Sequence, residues 1–171
     1  MAKDFAAEQQ FAASPEEVFA MLSDPDYLTV LLERTGGRDV TVSSEPTADG
    51  GAELGLGRLL PAKVPSFAKP FLGETIEVDE RHTWGPADEE GAREGTFTAT
   101  FGGAPASVQG TLRLEPDGEG GTRRVIQGKA KASVPLVGGK VEDLVRDQLM
   151  RLVRKEQEVA GHWLEGHHDG Q

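Results

Sequence analysis

The segment 74–84 reads E-T-I-E-V-D-E-R-H-T-W and holds the chain's most reactive grouping. Ile76 and Val78 set one face of a strand by period two, and that face then carries Glu80, His82 and Trp84. Thr75, Glu77, Asp79, Arg81 and Thr83 take the other face. A carboxylate and an imidazole two residues apart, turned inward beside an indole, suit two tasks. They anchor a polar group of a ligand by hydrogen bonds, or they work as an acid–base pair. A buried charge needs a partner or its pKa moves. Arg58, which shares a face with Leu54, Leu56 and Leu60, is the candidate counter-charge. The competing reading sets Glu80 and His82 at the open mouth of the sheet, or has a β-bulge turn one outward.

Other groupings carry less. His162, His167 and His168 have no carboxylate at a spacing that a rigid loop would hold, so no metal site is assigned. "GGAELGLG" and "DGEGG" are turn glycines, because neither joins a strand to a helix with a Lys-Ser/Thr behind it. No Gly-x-Ser-x-Gly elbow exists, and the absence of cysteine excludes thiolate chemistry and disulfides. No catalytic residue and no cofactor are assigned.

The elements that would position Glu80 and His82 follow from periodicity. Phe5, Ala7, Gln9 and Phe11 alternate as a strand. Ser14-Pro15-Glu16-Glu17 is a helix start with a capping box, and a second short helix through Tyr27, Leu28, Leu31 and Leu32 ends at Gly36-Gly37. Alternating segments come next at roughly 38–45, 52–60, 74–84, 93–102, 106–115 and 122–134, separated by turn-rich links. The three prolines of segment 60–73 forbid a central strand, so it reads as a crossing segment or helical turn, with Phe67, Phe71 and Leu72 as core or lid. A stripe from Val141 through Leu149 and Val153 to Leu164 marks a terminal helix roughly 40 Å long. Gln148 and Glu156 fall at its edge.

Short links make the strands an antiparallel meander, and the one face they share must be covered. Only the terminal helix is long enough. "PLVGG" is then the corner: Pro135 ends pairing, Gly138-Gly139 allow the reversal, and Lys140 starts the helix. Phe97, Ala99 and Phe101 form one inward row, and Val108, Gly110, Leu112 and Leu114 another. Small residues at Gly110, Gly128, Ala130 and Ala132 either let the helix pack close or leave a cavity.

This order resembles the helix-grip fold of the START/Bet v 1-like (SRPBCC) superfamily. More closely, "FAASPEEVFAMLSDPDYL", "LPAKVPSFAKPFLGETIEVDERHTW" and "VPLVGGKVEDLV" resemble the bacterial DUF2505 group within it. The resemblance implies an α+β fold in which about seven curved antiparallel strands wrap a long C-terminal helix, with two short helices after the first strand. It implies a single domain over 1–166 with a flexible tail at 167–171, and a cavity for a hydrophobic ligand. It carries no catalytic signature onto any position.

Composition bounds the partners. The 171 residues carry a net charge of −11, which repels nucleic acid and anionic membrane surfaces at long range. No apolar run approaches the roughly 18 residues of a membrane span, and nothing resembles a signal peptide, so a cytoplasmic location without integral membrane association is expected. Three functions are open: a carrier or sensor of a lipid-like or aromatic molecule, a protein-interaction domain with a filled core, and a cyclase/aromatase-like enzyme using Glu80 and His82. For the first, the expected ligand contacts are Arg58, Phe67, Phe71, Val78, Glu80, His82, Trp84, Phe97, Phe101, Leu112, Leu149 and Val153.

Overall fold

Alternation of buried and exposed side chains along seven segments builds one antiparallel sheet. The computed structural model describes residues 2–61 and 64–166. The strands are β1 (Ala2–Phe11), β2 (Arg38–Pro46), β3 (Ala52–Pro61), β4 (Thr75–Trp84), β5 (Arg93–Phe101), β6 (Ala106–Pro116) and β7 (Thr122–Ala132), in the spatial order β1-β7-β6-β5-β4-β3-β2. Every neighbouring pair is antiparallel, as hairpin links require. The tail at 167–171, with His167 and His168, lies outside the described residues.

Two short helices follow β1. Helix α1 (Pro15–Leu22) starts on the expected capping box, with the Glu17 N–H donating to Ser14 Oγ at 3.2 Å and the Ser14 N–H to Glu17 Oε1 at 3.4 Å. Helix α2 (Pro25–Arg34) is capped by Asp24 and buries Tyr27, Leu28, Leu31 and Leu32. The crossing segment folds into a single helical turn, α3 (Lys69–Leu72).

Helix α4 (Gly138–Leu164) runs back over the sheet from the corner after β7. It begins two residues before Lys140, so Gly138 and Gly139 are helical and do not make the bend. Leu136 makes it, with φ at 68° and its side chain wholly exposed. Pro135 and the early helix start leave two residues, Leu136 and Val137, to absorb the reversal, and the positive φ falls on the first.

α4 packs most closely on β1 and β7, at one side of the concave face. The burial of its stripe records the consequence. Val141 near one end, and Val159 and Ala160 near the other, are buried, whereas Leu144, Val145, Leu149, Leu152 and Val153 between them are only partly so. Those central residues face β3, β4 and β5 across a gap. The main core fills the rest with Val18, Met21, Leu22, Tyr27, Leu28, Trp84, Leu112 and Leu114, each such side chain contributing roughly 1.5–3 kcal/mol. No helix among the described residues is long and apolar enough to cross a membrane.

The small residues serve a purpose other than leaving volume. Gly110 and Gly128 face each other across β6 and β7, and a Cβ on Gly110 would lie 2.0 Å from the Gln127 carbonyl oxygen. A Cβ on Gly128 would lie 2.8 Å from the Phe5 ring. Phe5 and Phe97 flank this glycine pair in register, their rings 6.4 Å apart, and take up the space above it.

Candidate functional site

The register of β3 on β4 decides how the charged residues meet. Arg58 lies opposite Val78 and Leu56 opposite Glu80, so Arg58 and Glu80 are diagonal neighbours on the inward face. Arg58 Nη1 stands 2.7 Å from Glu80 Oε1, and His82 Nε2 stands 3.0 Å from Glu80 Oε2. No bulge interrupts β4, and the three side chains are 5%, 19% and 11% exposed for Arg58, Glu80 and His82, which puts all three inside the concave face. The His82 ring also lies 6.1 Å from that of Phe97, its cross-strand partner.

Two opposing effects set the charge of Glu80. Burial pushes its pKa up, while the Arg58 guanidinium and the His82 hydrogen bond pull it down further, to about 2. The carboxylate is therefore ionised at neutral pH.

A hollow lies where α4 leaves the sheet uncovered. An inner pocket of about 90 Å³ adjoins an outer pocket of about 380 Å³, both partly open, and Thr35, Arg58, Glu80, Leu149 and Leu152 border both. His82, Trp84, Phe97, Leu112 and Val153 line the inner pocket, and Val78 and Phe101 the outer one. Ten of the twelve residues singled out in the sequence thus surround one space. Phe67 and Phe71 do not. They pack against a second cluster of Ala106, Ala132, Val134 and Val141 where α4 begins, so their place is core and not lid.

The sequence reading passed over a second polar group. Arg124 on β7 ion-pairs with Glu156 on α4 at 3.1 Å, and donates to Gln9 Oε1 at 3.1 Å. Gln9 in turn donates to the Val153 carbonyl at 3.0 Å and to Glu156 at 3.2 Å. Arg124 and Glu156 line the inner pocket at the end away from Arg58. Burial pushes the Tyr27 hydroxyl pKa well up, with the Glu156 charge adding and Arg124 opposing, so the phenol stays neutral. Alternation along β7 held the signal: Thr122, Arg124, Ile126 and Ala130 share the buried face. Glu156, at the edge of the stripe, is a partly buried partner of this arginine.

A curved antiparallel sheet gripping one long helix, with two short helices after its first strand, defines the helix-grip class. The chain belongs to the family described as protein of unknown function (DUF2505), whose profile matches residues 6–164. It is 28% identical over 175 residues to uncharacterized proteins of Mycobacterium tuberculosis and Mycobacterium bovis, covering 96% of this chain and 98% of each relative. Among solved structures it is similar to TTHA0849 from Thermus thermophilus, at a TM-score of 0.61 and 20% identity over 92% of this chain and 97% of that one. Norcoclaurine synthase from Thalictrum flavum gives 0.57 at 14% identity, covering 98% and 96%. The Zhui aromatase/cyclase from a Streptomyces species gives 0.58 at 13%, covering 94% and 92%. At these identities the likeness is one of fold.

Proposed function

We propose that the protein binds a hydrophobic small molecule in the hollow between β3–β5 and the middle of α4. The observation that carries this is the half-buried central stretch of α4 facing a space with apolar walls and the Arg58–Glu80–His82 group at its waist. The outer pocket's 380 Å³ falls within the roughly 300–1,000 Å³ typical of small-molecule sites, and a few polar groups on apolar walls are their usual composition. Neighbours that share the fold include, by their names, a norcoclaurine synthase and an aromatase/cyclase, which agrees with the reading. A protein-interaction domain with a solid core would have no reason to leave this space.

The His82–Glu80 contact also suits an acid–base enzyme. In that reading Glu80, held ionised by Arg58, orients the imidazole, and any proton transfer falls to His82.

Native mass spectrometry of freshly purified protein, with uptake of the neutral dye N-phenyl-1-naphthylamine, tests the binding role. A co-purifying small molecule or saturable dye uptake is expected, and His82→Ala should weaken retention while leaving the circular dichroism unchanged. No bound molecule and no dye uptake would refute the role.

A further inference from the structure

The charges on the wall of the outer pocket do not cancel. Arg58, Glu80 and Arg151 line it, and Arg58 is spent on Glu80 at 2.7 Å. The ion pairs of α4 among the described residues do not include Arg151. Its natural partner is Asp147, one turn earlier on the helix, but Asp147 lies 3.7 Å from the Arg146 guanidinium. Most of the remaining wall is apolar, with Leu60, Val78, Phe101, Val145 and Leu152. Arg151 and Gln148 border this space and are exposed, so they stand at its rim. An arginine so placed lays its aliphatic stem along apolar surface and keeps its charge in water. The pocket thus carries one uncompensated positive charge at its mouth, in a chain whose net charge is −11.

We infer that the occupant is a monocarboxylic acid with an apolar body, its carboxylate on Arg151 at the rim and its body in the hollow. A guanidinium and a carboxylate match as a two-pronged fork, and the Gln148 amide, three residues away on the same helix face, offers a further N–H donor beside it. The charge count sets the valence. One free cation balances one negative charge, whereas a dianion such as a phosphate monoester would bring a second charge toward the Glu80 carboxylate on the same wall. An ammonium head would meet the Arg151 charge and find Glu80 already engaged by Arg58 and His82. This rests on the binding role proposed above and specifies its ligand.

The test displaces N-phenyl-1-naphthylamine from the full chain with decanoate and with decylamine, which share a chain length and differ in the sign of the head group. Neutral pH and about 0.15 M salt are used, where a screening length of about 8 Å mutes remote charges. An exposed ion pair is weak, so decanoate should bind about fivefold more tightly than decylamine. Arg151→Gln should bring the two affinities together and Arg151→Glu should invert their order, while both variants still take up the neutral dye. Arg154→Gln removes the same charge from α4 but off the pocket wall, and should keep the preference. Equal binding of the two compounds by the wild type, or tighter binding of decylamine, overturns the inference. So does a preference for decanoate that survives Arg151→Gln, or one that Arg154→Gln abolishes just as well, since net charge and not the rim would then set it. Failure of the wild type to take up the dye is a different result: it overturns the binding role itself.

Discussion

The titration of Glu80 is set by a contest between burial, which favours the neutral acid, and Arg58 with His82, which favour the anion. The anion wins: the pKa falls from 4.5 to about 2. A carboxyl whose folded pKa lies below its unfolded value stabilises the fold in its ionised form. That contribution is complete above about pH 4.5 and is lost as the pH falls toward 2. Glu80→Gln, an uncharged isostere, should therefore destabilise at pH 7 by on the order of 3 kcal/mol and by progressively less in acid. Urea unfolding of both proteins between pH 7 and pH 3 checks this, and the comparison cancels other carboxylates such as Glu115, whose pKa is also lowered, by its hydrogen bonds from Arg113 and Arg123. A gap that stays constant with pH would mean that Arg58 does not hold the anion. The inward phase of Glu80, His82 and Trp84 was legible because Ile76 and Val78 fix it. The Arg58–Glu80 contact was only a candidate, since diagonal pairing depends on a register that no alternation within one strand specifies.

The elements were legible for the same reason, since periods of two and of 3.6 residues write themselves into side-chain order. The corner was not. Pro135-Leu136-Val137-Gly138-Gly139 offers two glycines as the natural hinge, yet the positive φ falls on Leu136 and the glycines enter the helix. A non-glycine residue in the left-handed region is strained by roughly 1–2 kcal/mol, and an exposed Leu136 side chain recovers nothing by packing. Leu136→Gly should therefore leave stability unchanged or raise it by up to about 1 kcal/mol. Gly139 has open space around its missing Cβ, and Gly139→Ala in the first helical turn should add about 0.5–1 kcal/mol. Thermal unfolding of the two variants decides between the two accounts of the corner. A large loss in Gly139→Ala would return the hinge to the glycines.

At the scale of the whole molecule, the hollow exists because of where α4 sits sideways on the sheet. Nothing in a helical stripe says whether its middle will touch β4 or stand off it, which is why the strands and the helix were readable one by one, while a cavity was expected only from the family resemblance and its place beside β3–β5 was not. Sheet bending has a part in this. The Gly110–Gly128 pair lets β6 and β7 approach so closely that any Cβ would collide with backbone, and Phe5 and Phe97 fill the space above, so the open volume is displaced toward β3–β5. Ala99 tests whether that volume is free. It is buried on β5 beside Glu80 and lines the outer pocket. In a well-packed interior, Ala99→Leu overpacks and costs about 1–3 kcal/mol. Into a hollow the added carbons enter without displacing anything and exchange water for apolar contact, a gain of about 1 kcal/mol or more. The variant should therefore melt no lower than the wild type and take up less N-phenyl-1-naphthylamine. A lower melting temperature with undiminished dye uptake would place the dye elsewhere and leave the space between sheet and helix a matter of packing alone.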